Sequence, residues 1–334
     1  MKELWYTFGP SSDGKEKELF LSGATGVRLT FSYGTPAIQD DRAIVAREAA
    51  TQVGRPCFII ADLAGEKFRL GTFTGQSTIE VAAGTSIRLV NADSSSPSSD
   101  DVVLPIPRAS FFSYLKKGSR ITIGDGAAVL IATRVSADEA LAEMITDGTI
   151  NNHRGLTIQS GEFRPRCLTT KDLNDLDHIL SSPLYDAVAL SFTGAAIDIS
   201  TVRELAQKAN RNVPVIAKIE TLAGLENIDA ICRTSDFVMA ARGDLALAQP
   251  WIELPEAMQR IVSTAKATST PWILATQVVE GLERYTLPTR SEICDLAHWL
   301  KEGCSGVLLS YETAFGSRPV DAIACTASML ARWE

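Results

Sequence analysis

The sequence has no apolar run long enough to cross a membrane. Among its 334 residues, runs such as the one from Asp186 to Phe192 are far shorter than the roughly 20 residues that a membrane-spanning helix needs. The amino-terminal residues also lack the apolar core of a signal peptide. The net charge of -8, with no cluster of Lys or Arg, argues against the positively charged surface that nucleic acids require. We therefore expect a cytoplasmic protein whose partners are small molecules rather than membranes or nucleic acids.

Cysteine and histidine are scarce and scattered. The six cysteines form no C-x-x-C pair and show no metal-ligand spacing, so we expect reduced thiols in the core. The histidines are His153, His178 and His298, and because they are isolated from one another we expect structural roles for them. The sequence thus shows neither a disulfide framework nor a Cys/His metal site.

Short runs rich in Val, Ile, Leu and Phe recur along the chain, each followed by polar turn residues and a segment of helical period. Eight such runs are predicted to be strands, at about Leu4–Phe8, Val27–Phe31, Cys57–Leu63, Asp186–Phe192, Val213–Ile219, Phe237–Ala241, Trp272–Ala275 and Val307–Ser310. Apolar strands that alternate with helices are typical of a closed parallel sheet, because parallel strands are buried on both faces. The expected fold class is α/β, a (β/α)8 TIM barrel.

The interval between the third and fourth predicted strands has a different pattern. It contains alternating runs at Ser77–Val81, Ser86–Val90 and Arg120–Ile123, separated by turn-rich pieces. We predict a small all-β domain at 72–164, inserted after the third strand of a barrel formed by 1–71 and 165–334. Ser94 to Ser99 is predicted to be a flexible loop tip. In the barrel, Thr201–Glu204 is predicted to be a capping box at the start of a helix.

Charged side chains follow the predicted barrel strands, at the end where TIM barrels carry their active sites. Lys218 and Glu220 are two residues apart on one strand, so both side chains leave the same face. Asp244 follows the next strand, and two carboxylates from neighbouring strand ends suit a hard divalent cation, Mg²⁺ or Mn²⁺. Gly243 would let the backbone offer an amide to a substrate carboxylate.

Each of these features also has a purely structural interpretation. Lys218 and Glu220 can be an ordinary ion pair, and Asp244 can be a helix N-cap before Leu245. The combination favours a functional site, because burying several charges at one rim is costly unless they compensate one another or a ligand.

Several segments closely resemble the motifs of pyruvate kinases. They are Thr7–Pro10, Val27–Gly34, Ala217–Ile228, Met239–Leu245, Ala275–Gln277 with Glu280, Pro288–Glu292 and Leu309–Ala314. The segments occur in the family's order and cover nearly the whole chain. The resemblance implies a transferase of the kinase type that acts on phosphoenolpyruvate and the enolate of pyruvate, with Mg²⁺ as cofactor and ADP or ATP as the nucleotide.

The resemblance also implies roles for individual residues. Glu220 and Asp244 would bind the divalent metal, and Lys218 would stabilise the enolate oxygen and the phosphoryl group in transfer. Thr276 would help to relay a proton to the opposite face of the substrate. The other implied roles are catalysis and phosphate binding for Arg28, phosphate binding for Arg69, substrate binding for Gly243, Asp244 and Thr276, monovalent-cation binding for Ser32 and Asp62, and a lid over the nucleotide that contains Asp125.

Some positions depart from the family pattern. Thr30 stands in place of an Asn and Tyr33 in place of a His, which alters the K⁺ site and the nucleotide contacts. The segment Asp62–Lys67 lacks a Thr and a Lys of the family motif, and Tyr311 replaces a Gly. Because the sequence stops just after the last predicted barrel helix, we expect it to lack the family's C-terminal regulatory domain.

Three functions remain open from the sequence. The first is phosphoryl transfer between phosphoenolpyruvate and a nucleotide, which the set of Lys218, Glu220, Asp244 and Thr276 favours. The second is a metal-dependent lyase, a decarboxylase or aldolase that forms a pyruvate enolate from a 2-oxo acid, because enolate chemistry needs only a Lewis acid and a donor at the oxyanion. The third is a non-catalytic homologue with a binding role. The sequence also leaves open whether the chains form a homo-oligomer.

Overall fold

The computed structural model of the protein describes residues 2–92, 102–160 and 162–333. The chain divides into two compact units. The barrel unit comprises Met1–Gly65, Arg166–Gly243 and Pro255–Glu334, and the β unit comprises Glu66–Pro165 and Asp244–Leu254. The domain limits of 1–71, 72–164 and 165–334 remain a prediction, and the predicted loop tip from Ser94 to Ser99 lies outside the described residues.

Strands and helices alternate through the barrel unit, whereas the β unit is built mainly of strands. The first elements are β1 (Glu3–Thr7), α1 (Glu16–Leu21), β2 (Gly26–Thr30), α2 (Pro36–Gln52) and β3 (Phe58–Leu63). The β unit follows with β4 (Phe68–Arg69), β5 (Thr78–Val81), β6 (Ser86–Asn91), β7 (Val102–Ile106), α3 (Ser110–Ser113), β8 (Arg120–Ile123), β9 (Ala128–Val135), β10 (Glu139–Met144), β11 (Gly148–Asn151) and β12 (Gly155–Gln159). The chain continues with α4 (Thr170–Ser181), β13 (Ala187–Leu190), α5 (Ala196–Lys208), β14 (Val215–Ile219), α6 (Leu222–Glu226), α7 (Ile228–Thr234), β15 (Phe237–Ala241), α8 (Arg242–Ala248), α9 (Leu254–Thr268), β16 (Trp272–Ala275), α10 (Arg290–Lys301), β17 (Gly306–Leu309), α11 (Tyr311–Ala314) and α12 (Pro319–Trp333). Short 3₁₀ helices lie at Trp251–Glu253 and Glu280–Glu283, and no helix within the described ranges is both long enough and apolar enough to cross a membrane.

Within the described chain, eight parallel strands close into a barrel in the order β1, β2, β3, β13, β14, β15, β16 and β17, with β17 pairing back to β1. Each predicted strand agrees with an observed one to within two residues at either end. The TIM barrel inferred from the sequence is therefore confirmed. The prediction succeeded because these strands are buried on both faces, which leaves a continuous apolar signal in the sequence.

The predicted capping box at Thr201–Glu204 is wrong. Thr201 lies in the middle of α5, where its hydroxyl donates to the carbonyl oxygen of Ile197 one turn earlier, at 2.8 Å. The helix begins after Ala195, and the carboxylate of Asp198 accepts a hydrogen bond from the Ala195 amide at 3.0 Å. A threonine inside a helix can bond back to the preceding turn, so the sequence pattern alone did not distinguish the two positions.

The β unit has two sheets in its described part. A mixed seven-stranded sheet has the order β4, β12, β8, β9, β10, β6 and β7, and a separate pair is formed by β5 and β11. Alternation along β8 places Ile121 and Ile123, both fully buried, on the side of the hydrophobic core. Phe68 packs at the centre of that core, with its ring 5.3 Å from the ring of Phe111. The all-β insertion predicted after the third barrel strand is confirmed.

All six cysteines are free thiols, as expected. Cys167, Cys232 and Cys304 are buried, and burial raises the pKa of Cys232 and of Cys304 to about 11, so these thiols stay protonated at neutral pH. The prediction of a core position is wrong for Cys294, which is exposed. Its place on α10 is off the face that buries Leu296, so an apolar neighbourhood in the sequence did not mean a core position.

Candidate active site

The interior of the barrel changes from apolar to charged towards the carboxyl ends of the strands. Ile60 on β3 and Ile216 on β14 belong to the buried cluster inside the barrel. Two residues further along the same strands, and therefore on the same face, lie Asp62 and Lys218. Arg28 on β2 pairs with Asp62. The period of two in each strand thus places three charged side chains above the apolar layers of the barrel.

Lys218 is the centre of this group. Its Nζ atom lies 2.7 Å from Ser191 Oγ, 3.1 Å from Glu220 Oε1 and 3.3 Å from Asp62 Oδ1. The side chain is buried, which disfavours the charged ammonium, but the negative charges of Asp62 and Glu220 outweigh that effect and the pKa of Lys218 lies above its ordinary value. Lys218 is therefore a fixed cation at neutral pH, held by three side chains.

Asp62 is shared between two cations. Arg28 donates to Asp62 Oδ2 from Nε at 2.6 Å and from Nη2 at 2.5 Å. Burial disfavours the carboxylate, but Arg28 and Lys218 outweigh it and keep the pKa of Asp62 below its ordinary value. Ser32 was predicted to share a monovalent-cation site with Asp62, but among the described residues the two side chains form no hydrogen bond. Asp62 Oδ1 accepts no hydrogen bond from any described group, although Lys218 Nζ is close to it.

Glu220 follows β14 directly and is buried. Its Oε2 atom accepts a hydrogen bond from the backbone amide of Phe192 at 2.8 Å, while Oε1 faces Lys218. The carboxylate oxygens of Glu220 are hard donors of the kind that a divalent cation prefers. No cluster of three or more His, Cys, Asp or Glu side chains suited to a metal occurs in the part of the chain that is described. The donor chemistry fits Mg²⁺ or Mn²⁺, which commonly bind one or two carboxylates and take their other ligands from substrate and water.

Thr276 follows β16 in a left-handed backbone conformation, with φ of 75°, and Gln277 continues it with φ of 54°. A β-branched residue rarely adopts this conformation, so it must be held by its surroundings. Gly243 packs beside it, where a Cβ atom would lie only 3.1 Å from Thr276 Cγ2. A glycine at 243 therefore leaves the space that the Thr276 side chain occupies.

Arg242 holds this segment in place. Its Nη2 atom donates to the carbonyl oxygens of Thr276 and Gln277 at 2.7 and 3.0 Å, and Nε donates to Thr276 at 3.1 Å. Asp295 on α10 pairs with Nη1 at 2.5 Å. The sequence placed Arg242 at a strand end but assigned it no role. The contact between Arg242 and Thr276 joins residues 34 positions apart, so no local pattern indicates it. The one feature of the sequence that could have drawn attention to Arg242 is its position directly before Gly243.

Three of the predicted site residues belong to the β unit. Asp244 forms an ion pair with Lys67, one of the positions that depart from the family pattern. Arg69 donates from Nη1 to the carbonyl oxygen of His153 at 3.3 Å. Asp125 is exposed in the turn between β8 and β9. The pairing of Asp244 with Lys67 was not foreseen from the sequence.

The chain was compared with known families and with curated proteins. Residues 2–323 match the family model described as the pyruvate kinase barrel domain. Pyruvate kinase 2 of Synechocystis is 33% identical over 337 residues, which cover 98% of this chain and 56% of the relative. The pyruvate kinase of Methylorubrum extorquens is 34% identical over 95% of this chain and 65% of the relative, and that of Chlamydia pneumoniae is 32% identical over 98% and 67%. The chain thus spans little more than half the length of the first relative and about two thirds of the others. Because the family model covers residues 2–323 and relatives of 32–34% identity cover 95–98% of the chain, the chain belongs to the pyruvate kinase family.

Proposed function

We propose that the protein transfers a phosphoryl group between phosphoenolpyruvate and a nucleotide, with ADP as acceptor. The observation that carries this proposal is the buried ammonium of Lys218, held by Asp62, Ser191 and Glu220 at the carboxyl ends of the barrel strands. Phosphoryl transfer depends on charges that are positioned before the reaction, because little covalent chemistry is left for the protein to do. A fixed cation of this kind stabilises the negative charge that develops on the enolate oxygen.

The proposed roles of the other barrel residues follow from their contacts. Arg28 uses Nε and Nη2 to bind Asp62, while Nη1 has, among the described residues, only a long hydrogen bond to Thr7 Oγ1 at 3.3 Å. It therefore keeps donors that can bind a phosphate group. Thr276 would relay the proton to the enolate carbon, since Arg242 fixes its backbone and so its hydroxyl. Lys218 itself stays protonated and acts through its charge rather than as a base.

We propose Glu220 and Asp244 as the carboxylate ligands of Mg²⁺ or Mn²⁺, since carboxylate oxygens are hard donors. When bound, the ion would supply Lewis-acid polarisation of the substrate oxygen. Asp244 exchanges its pairing with Lys67 for any cation that binds there, so Lys67 is expected to weaken binding of the divalent ion. Arg69 and Asp125 keep the roles in phosphate binding and in the lid that the family resemblance implies.

The second candidate is a lyase that forms a pyruvate enolate from a 2-oxo acid. It is favoured by the distribution of the departures from the family pattern. Lys218 and Glu220, which are sufficient for enolate stabilisation, are present and in contact, whereas Thr30 and Ala64 stand where the family has an Asn and a Lys.

The deciding experiment is a phosphorus NMR time course of the purified protein with phosphoenolpyruvate, ADP and Mg²⁺. We expect ATP to appear together with an equal amount of pyruvate, and no ATP to appear with Lys218→Met. A folded protein that forms no ATP would contradict the proposal. Release of carbon dioxide from oxaloacetate, or of an aldehyde from a 4-hydroxy-2-oxo acid, again dependent on Lys218, would then establish the lyase.

A further inference from the structure

One face of the large sheet in the β unit carries polar side chains beside the apolar Val129 and Ile131 of β9. On β8, Arg120 and Thr122 alternate with the core residues Ile121 and Ile123, so they point to the opposite face of the sheet. Gln159 on β12 is the direct partner of Arg120 across the two antiparallel strands, and opposite residues share a face. The result is a group of polar side chains on the side of the sheet away from the core.

This surface is the floor of a cavity of about 510 Å³. The other side of the cavity is lined by Ala246, Leu247, Gln249, Pro250 and Trp251. The floor and these covering residues all belong to the β unit. A cavity of this size, with apolar walls and a few polar groups, has the usual character of a site for a small molecule.

Polar groups in the cavity lack partners. Gln249 is only 3% exposed, and its Nε2 atom has no hydrogen-bond partner among the described residues. A buried amide without an acceptor is unfavourable, and native proteins rarely leave one without a reason. The side chains of Arg120 and Gln159 likewise form no hydrogen bond or ion pair in the described ranges. These groups offer mainly N–H donors, which suit the oxygens of an anion.

The cavity also offers a surface for a flat ring. The Trp251 side chain is 77% exposed, which is unusual for a large aromatic residue that packs only against its own chain. The one acidic side chain of the lining, Asp125, lies in the turn beyond the end of β8, and that end is roughly 10 Å from Arg120 along the strand. The anionic end of a ligand and the carboxylate of Asp125 can therefore occupy opposite ends of the cavity.

We propose that this cavity binds a small organic anion with a flat ring, whose phosphate or carboxylate group contacts Arg120 and Gln249 and whose ring packs on Trp251. The site is distinct from the residues to which the proposed reaction is assigned, apart from Asp125 at its edge. Its existence does not depend on whether the protein transfers phosphate.

The test is calorimetric titration of the whole chain with four probes: AMP, UMP, phenyl phosphate and benzoate. We expect saturable binding of at least one probe with a Kd below about 1 mM. Phenyl phosphate and benzoate distinguish a phosphate-binding from a carboxylate-binding site, since they share the ring and differ in the anion. Adenosine has the ring but no anionic group, and inorganic phosphate has the anionic group but no ring. Each is therefore expected to bind more weakly than AMP.

Substitutions assign the binding to this cavity. Arg120→Gln and Trp251→Ala should each weaken binding about tenfold, while Trp251→Phe, which retains a ring, should restore most of the affinity. Lys117→Gln removes an equal charge from an exposed position of the same unit and should leave binding unchanged. Gln249→Leu should raise the melting temperature, because it removes an unpartnered buried amide, and should weaken binding.

Two results would overturn the proposal. One is the absence of saturable binding for all four probes to the folded protein. The other is binding that Arg120→Gln and Trp251→Ala leave unchanged, which would place the ligand elsewhere, for example at a nucleotide site. Neither result depends on turnover, so failure of this proposal is separable from failure of the proposed reaction.

Discussion

Arg242 donates two hydrogen bonds to the carbonyl oxygen of Thr276, from Nε at 3.1 Å and from Nη2 at 2.7 Å. Thr276 has a positive φ, a conformation that threonine adopts only when other contacts hold it. Asp295 binds the remaining side of the guanidinium and so fixes its orientation. Arg242 is thus a positioning residue for the threonine whose hydroxyl we assign to proton transfer.

Replacing Arg242 by lysine is expected to lower kcat about a hundredfold and to change KM much less, because displacement of a catalytic group by about 1 Å has effects of that size. Steady-state kinetics with phosphoenolpyruvate measures both constants. Arg203→Lys is the matched control, since Arg203 binds the carbonyl of Thr234 and the carboxylate of Asp236 in the same manner at the other end of the barrel. Equal effects of the two substitutions on kcat would show that Arg242 has only a structural role.

Lys218→Met should reduce turnover at least about a hundredfold, as expected for loss of a group that stabilises charge in the transition state. It should also lower the free energy of unfolding by about 3 kcal/mol, because the substitution removes one partner of a buried ion pair. Urea unfolding and a kinetic assay on the same preparation separate the two effects. A stable Lys218→Met variant with normal turnover would refute the assignment of the site.

The charged cluster predicts how stability depends on pH. The pKa of Asp62 is lowered in the folded state, so its contribution is present above the ordinary value of 3.8 and is lost as the pH falls through the folded value. The pKa of Lys218 is raised, so its contribution is present below 10.5 and is lost at higher pH. Unfolding free energies measured from pH 2 upward should fall in acid for the wild type and less steeply for Asp62→Asn. Parallel curves for the two proteins would be inconsistent with this cluster.

Divalent-metal binding should depend on both proposed carboxylates. Glu220→Gln and Asp244→Asn are each expected to weaken Mn²⁺ binding, measured by calorimetric titration, because each removes an anionic ligand. Lys67→Met should strengthen it a few-fold, as the paired ammonium no longer competes for Asp244. Asp229→Asn is the control, an exposed carboxylate that is paired with Arg233. If Mn²⁺ affinity is the same in all four variants, the metal site lies elsewhere.

We predict that the reaction does not require K⁺. Asp62, the proposed ligand of a monovalent cation, is already neutralised by Arg28 and Lys218, and Ser32 forms no hydrogen bond with it among the described residues. Rates measured in K⁺ and in tetramethylammonium at equal ionic strength should therefore agree. A strong loss of rate without K⁺ would show that the side chains of Arg28 and Lys218 do not replace K⁺.

The sequence by itself determined the barrel. Each barrel strand is a short apolar run buried on both faces, and this signal is local, so the predicted strands agree with the observed ones. The contact between Lys218 and Glu220 was likewise predictable, because residues two apart on a strand share a face. Local patterns failed where one residue type serves two purposes, as for Thr201, which bonds within a helix rather than capping it.

Only the tertiary structure decided which distant residues share the site. Asp62 and Lys218 are 156 positions apart, and their contact depends on the closure of the barrel. The hydrogen bonds from Arg242 to Thr276 and the ion pair of Lys67 with Asp244 likewise join separate segments. A sequence specifies the face of a strand through its local period, but the partners of a side chain follow from how the strands pack. That packing is a property of the whole fold, so it cannot be read from any single motif.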